Sequence, residues 1–193
     1  MRYASTHKNE TRQKLLDSSR AIAKKGGFAS TGVDALMASI GLTGGAFYSH
    51  FPSKQALFEA LVAEEMENSS SMLAGDKDAP DNHVAKCVRD YLSSFHAMNP
   101  DVGCALPVLG AEIARAGPEV RSTVEAALKR TQKSWSARTG DADAAWALIA
   151  QCVGAVVLAR AVESERTRKE ILAASRRFID KAERKGASAP TSS

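Results

Sequence analysis

The chain has 193 residues, 44% of them hydrophobic and 25% charged, with a net charge of +4. That is enough apolar material for one large domain, or a small and a larger one, without disulfide support. No run approaches the roughly 20 apolar residues of a membrane span, and the opening Met1–Lys8 has no apolar core of a signal peptide. The cytoplasm is therefore the expected compartment, with no membrane partner.

Charge is unevenly placed. Residues 1–60 hold eight bases (Arg2, Lys8, Arg12, Lys14, Arg20, Lys24, Lys25, Lys54) against four acids (Glu10, Asp17, Asp34, Glu59), while the rest of the chain holds eighteen of each. All the excess positive charge lies in the first third, which favours a polyanionic partner there. The three cysteines, Cys87, Cys104 and Cys152, form neither a disulfide framework nor a zinc knuckle. The four histidines form no ligand-spaced set, no nucleophile–base pair or phosphate loop stands out, and no metal, cofactor or catalytic residue is expected.

In chain order, residues 1–9 read as a flexible basic arm. Leu15, Leu16, Ala21, Ile22 and Ala23 recur at helical spacing until Gly26-Gly27. Thr31 is placed to cap a second helix carrying Val33, Leu36, Met37 and Ile40, with Asp34 completing a short-acid capping box. Gly41 ends that helix. Thr43 caps a very short third helix that must finish before Pro52, and Ser53 caps a longer one through Leu57, Phe58, Leu61, Val62 and Met66. Gly75–Pro80 is a polar break.

Helical patterns resume from Val84 to Phe95, and Asn99-Pro-Asp breaks them again. Pro107 requires a helix start near Cys104, and Gly117-Pro118 is a stop followed by a start. Two long helices are expected over 118–138 and 142–162, a last one over about 165–184, and a disordered tail over 186–193. No segment alternates at period two. The expectation is all-α, with about nine helices.

Two short helices joined by a glycine turn have helix-turn-helix spacing, in which the second helix enters the major groove of DNA. Here that helix runs from Thr43 to about His50, with Phe47 and Phe51 facing the core. The ordered set Arg12-Gln-Lys-Leu-Leu, Gly26-Gly-Phe, Gly41-Leu-Thr and Phe47-Tyr-Ser-His-Phe-Pro-Ser-Lys-Gln-Ala-Leu resembles the TetR family of bacterial regulators over about residues 10–62. The resemblance implies a DNA-binding domain at 10–52, a connecting helix at 53–74, and a ligand-binding and dimerisation domain at 75–185. It implies a homodimer joined by the last two helices, a double-stranded DNA operator, and repression relieved by a small-molecule inducer. The alternatives are an activator, a ligand-blind DNA-binding protein, or a helical enzyme.

Carried over residue by residue, the resemblance makes Tyr48, His50 and Lys54 phosphate contacts, with Thr31 both a cap and a phosphate contact. Side-chain chemistry agrees, because a phenol, an imidazole and an ammonium all donate to phosphate oxygens. Gly45 matches a glycine common in the family, where two surfaces approach closely. Gly44 departs from the pattern, falling where many members carry a longer side chain. The reading surface is then the Thr43 hydroxyl, the Ala46 methyl and bare backbone, so specificity leans on close fit and DNA deformability. The inducer region implied by the resemblance carries Tyr91, Phe95, His96, Met98, Leu106, Leu109, Trp135 and Trp146, each of which is equally readable as plain core. Cys104, near a helix start that favours a thiolate, is a candidate redox sensor, although Asp101 opposes that and a buried free thiol is commonly inert.

Overall fold

The computed structural model describes residues 2–76, 78–101 and 103–187. The helices are α1 (Arg2–Gly26), α2 (Val33–Ala38), a 3-10 helix η1 (Gly44–Ser49), α3 (Lys54–Ala74), α4 (His83–Tyr91), α5 (Ser94–Met98), α6 (Leu106–Arg115), α7 (Pro118–Thr139), α8 (Ala142–Ala161) and α9 (Glu165–Ala187). No strand occurs among the described residues. The all-α expectation holds.

Several expected boundaries move. The segment read as a flexible arm is helical from Arg2 onward, inside α1; Met1 lies outside the described residues. Of the expected tail, Gly186 and Ala187 close α9, and 188–193 lie outside the described residues. The helical stretch expected from Val84 to Phe95 breaks at Leu92, where the hydroxyl of Ser93 accepts from the His96 N–H at 3.1 Å and caps α5. A serine that satisfies a free N–H is a strong local start signal, and it outweighs the continuing apolar pattern.

Chain contacts define two compact units: Met1–Ser70 with Cys104–Leu128, and Ser71–Gly103 with Lys129–Ser193. The chain passes between them within α3, after Gly103, and within α7. This differs from a division at 74/75, because α6 and the start of α7 belong to the first unit. The reason is apolar: Leu109, Ile113, Val120 and Val124 share one buried cluster with Leu15, Leu36, Phe47 and Leu57. Each such side chain, fully buried, contributes about 1.5–3 kcal/mol.

The second unit has its own core, including Val88, Leu92, Trp135, Leu148, Val156, Leu172 and Ile179. The C-terminal carbonyls of α3 are satisfied there by side chains. Trp135 Nε1 donates to the Leu73 carbonyl at 2.7 Å and the Ser134 hydroxyl donates to that of Ala74 at 2.5 Å. Arg138 donates to the Asp76 and Ala79 carbonyls at 3.0 and 3.1 Å. The Leu73 and Ala74 carbonyls lie in the last turn of α3, where carbonyls have no partner within the helix itself.

α8 corrects one sequence expectation. Ala142–Ala161 is long and apolar enough, by length and composition alone, to cross a membrane, with a mean hydropathy of 1.8 over its best window. Its apolarity comes largely from alanine and valine. Ala145, Leu148, Cys152, Val156 and Ala159 are buried in the unit's core, and Gln151 Nε2 donates to the Ser175 hydroxyl of α9 at 3.1 Å. Of that window 33% is buried, and one such helix, by length and composition alone, is weak evidence of a span.

Candidate nucleic-acid interface

The turn between α2 and η1 is built by the backbone. Gly41 has φ +75°, its N–H bonds the Ala38 carbonyl at 3.0 Å, and the Leu42 N–H bonds the Met37 carbonyl at 3.0 Å. This paired arrangement closes a helix through a left-handed residue, which glycine adopts without a Cβ clash. It sets η1 against α2, and Leu36, Met37 and Phe47 are fully buried between them. Phe51 is buried beside Phe47, with ring centroids 6.1 Å apart. Both rings face the core, as their positions predicted.

The short third helix is 3-10 rather than α, with the Ala46 N–H on the Thr43 carbonyl at 3.0 Å and the His50 N–H on that of Phe47 at 2.9 Å. Thr43 is its N-cap residue, but its hydroxyl makes no capping bond. Thr31 does not cap α2 either; Gly32 holds that position, and the Thr31 hydroxyl donates weakly, at 3.5 Å, to the Gly27 carbonyl. Ser53 does cap α3, accepting from the Ala56 N–H at 3.0 Å.

Gly44 has a reason of its own. A Cβ added there would lie 1.8 Å from Asp34 Oδ1, whereas nothing lies within 4 Å of a Cβ added at Gly45. The carboxylate read as part of a capping box therefore occupies the space where a side chain at position 44 would begin. Gly45 is exposed and open, so any surface that needs its bareness is not part of this chain. Thr43 is exposed too, and Ala46 is half-buried against the core.

Tyr48 is 66% exposed and stands edge-on to Phe47. His50 is half-buried, with Nδ1 shut from solvent and without a hydrogen-bond partner, so an outside partner would meet Nε2. Lys54 is less free than the sequence implied. Its Nζ donates to the Ala29 carbonyl at 2.9 Å and lies 4.9 Å from the Phe28 ring centroid. An ammonium carries three protons, so one such bond leaves two.

The basic excess of the first third is also smaller in space than in sequence. Arg20 pairs with Asp17, Glu64 and Glu65 at 3.0, 2.9 and 2.6 Å, and Lys24 pairs with Glu65 at 2.6 Å. Burial lowers the Arg20 pKa, but Glu64 and Glu65 outweigh it and the net shift is upward. Arg12 lies 4.5 Å over the Phe51 ring, and Lys8, Lys14 and Lys25 stay exposed. Counting charges up to residue 60 missed the two glutamates just beyond it.

No sequence pattern singles out Glu112. Its carboxylate accepts the Phe28 and Ala29 N–H groups at 2.9 and 3.0 Å, fastening α6 to the turn between α1 and α2. A Cβ at Gly27, where φ is +85°, would sit 2.9 Å from Glu112 Oε1. The partners are more than eighty residues apart, beyond any local pattern.

The residues expected around an inducer are dispersed. Leu106 and Leu109 belong to the first unit, the other six to the second. Trp135 and Tyr91 are buried, while Phe95 (67%), Met98 (55%) and Trp146 (40%) are exposed. Only Tyr91 and His96 meet as rings, at 4.3 Å, with His96 Nδ1 donating to the Tyr91 carbonyl at 2.6 Å. Cys104 is buried, two residues before α6 begins. Among the described residues no group of three or more His, Cys, Asp or Glu is placed to hold a metal ion.

α2, the Gly41 turn and η1 have the arrangement of a helix-turn-helix. Residues 15–61 match the family model "Bacterial regulatory proteins, tetR family". Over these residues the chain carries the N-terminal domain of the TetR family. The HTH-type transcriptional regulator UidR of Escherichia coli (strain K12) is 33% identical over 64 residues, an alignment that spans 33% of this chain and 33% of UidR. In fold the chain is similar to E. coli NemR in its reduced form (TM-score 0.74, 19% identity, 89% of this chain and 97% of that one). It is also similar to a TetR transcriptional regulator from Chloroflexus aurantiacus (TM-score 0.72, 24% identity, 91% and 96%).

Proposed function

We propose that the protein is a homodimeric transcriptional repressor that reads a palindromic DNA operator through η1 and is released by a small molecule. The carrying observation is the open face at the start of η1, with Thr43, Gly45 and Tyr48 exposed on a fully buried base of Phe47. In this reading Tyr48, His50 through Nε2, Thr31 and the spare protons of Lys54 hold phosphates. Thr43, Ala46 and the backbone at Gly44 and Gly45 face the bases. The curated relatives that align with this domain are regulators, which favours a regulator over an enzyme.

Dimerisation is assigned to α8 and α9. Trp146, Ala150, Val157 and Leu158 form an exposed apolar stripe along α8. Two copies joined by such a stripe about a two-fold axis present two reading helices to two half-sites. Release follows from linkage: a ligand that favours a wrong spacing of the two helices weakens DNA binding by its own coupling factor. α3 and α7, which carry residues of both units, are the continuous elements for that coupling.

Selection from a randomised duplex pool, repeated over a salt series, tests the reading. Enrichment of a palindrome with affinity falling steeply with salt is expected. Weak, purely salt-driven binding without enrichment overturns it. Leu158→Glu should give a monomer by sedimentation and lose the palindrome; an unchanged dimer would move the interface elsewhere.

A further inference from the structure

The second unit contains a cavity of about 570 Å³ between α4, the end of α7, α8 and α9. That is within the range of small-molecule sites, roughly 300–1,000 Å³. None of the eight side chains expected around an inducer lines it. Its apolar wall is Val84, Leu148, Ile179 and the exposed ring of Phe178.

The polar groups around this wall are one-sided. Most of the donors are engaged within the protein: the Arg138 Nη atoms with the carbonyls of Asp76, Ala79 and Pro80, the Thr139 hydroxyl with that of Trp135 at 2.9 Å, and Gln151 Nε2 with Ser175, while the guanidinium keeps its Nε–H and its charge. The acceptors are not. Asp141 uses Oδ1 to cap α8, receiving the Asp143 and Ala144 N–H groups at 2.8 and 3.1 Å, which leaves Oδ2. Asp81 is exposed and in no ion pair among the described residues, and Gln151 Oε1 has no donor. With two carboxylates, Asp81 and Asp141, against one guanidinium, Arg138, the lining keeps an excess of negative charge and of spare acceptors, which favours a ligand that brings protons and positive charge.

We infer that this cavity binds an organic cation with an apolar, ring-sized body and an N–H-bearing ammonium, the ammonium held between Asp81 and Asp141. The inference deepens the inducer reading by giving it a site and a ligand class, and it rests on that reading only for the consequence on DNA.

The experiment uses the full chain and two matched probes, 1-naphthylmethylammonium and 1-naphthylacetate, titrated by calorimetry at low salt. The ammonium should bind at least tenfold more tightly than the carboxylate. Asp81→Asn with Asp141→Asn should erase that preference to within about twofold; asparagine caps a helix as well as aspartate, so α8 keeps its start. Leu148→Trp, with folding checked by thermal unfolding, should weaken both probes by filling the cavity. Equal or tighter binding of the carboxylate, no binding of either probe, or an ammonium affinity unchanged in the double variant would each overturn the site. Operator selection with the unliganded protein is scored separately. Its failure removes the regulator reading and leaves the site standing.

Discussion

Glu65 offers the sharpest test of how the first unit is held together. It is 5% exposed, and its two oxygens lie 2.6 Å from Arg20 Nε and 2.6 Å from Lys24 Nζ, the lysine itself 5% exposed. Arg20 has Asp17 and Glu64 as further carboxylates, whereas the substitution takes a carboxylate at 2.6 Å from the nearly buried Lys24 ammonium. Glu65→Gln keeps the shape and removes the charge. Breaking a buried pair by removing one partner costs about 3–5 kcal/mol, because the other charge stays in a poorly solvated place. A domain is stable by only about 5–15 kcal/mol, so the midpoint of thermal unfolding should fall by on the order of 10 °C. Circular dichroism on the purified protein measures it. Adding Lys24→Met should recover most of the loss, since replacing both charges with apolar groups is often neutral or better. A midpoint within 2 °C of the parent for Glu65→Gln alone, a margin well below that expected fall, would refute the reasoning.

Gly44→Ala should turn the Asp34 carboxylate to another rotamer at little cost in unfolding midpoint, because the atom in its way is the end of an exposed, flexible side chain; Gly45→Ala should leave the midpoint unchanged and still impair DNA binding, read by fluorescence anisotropy. Glu112→Ala should cost about 1–3 kcal/mol by urea titration, since the part-buried Phe28 N–H loses its acceptor. Burial raises the Cys87 thiol above its usual range, Lys86 opposing only in part. Its alkylation should therefore lag a free thiol at pH 8 and catch up only at higher pH, as timed mass spectrometry would record. A proton held more tightly in the folded state stabilises below the unfolded pKa, and that contribution is lost as pH rises through the folded one.

Much of the fold was legible in the sequence because its signals are local. Gly41, Ser53 and Gly117-Pro118 act within a few residues of themselves, and they marked helix ends well. What was hidden is set by distant partners. Lys54 reads as a free cation until the Ala29 carbonyl is found against it, and Arg20 and Lys24 read as a basic face until α3 brings Glu64 and Glu65 alongside. Thr31 and Asp34 form a plausible capping box in one dimension, yet Gly32 takes the cap position and Asp34 abuts Gly44. Glu112 carries no signature at all, since its partners are backbone N–H groups far away in the chain. In the inducer region apolar residues have the same spacing whether they line a pocket or fill a core, so the pattern could not separate them.

The contact between Asp34 and the space above Gly44 also orders the routes by which this reading head can change over time. In the proposed reading head a longer side chain at position 44 would add a base contact, and any replacement there first asks the Asp34 carboxylate to turn aside. A shortened residue at 34, on the exposed side of α2, removes that demand altogether. The two positions are therefore coupled, and a change at 34 widens the set of side chains that position 44 takes without local rearrangement.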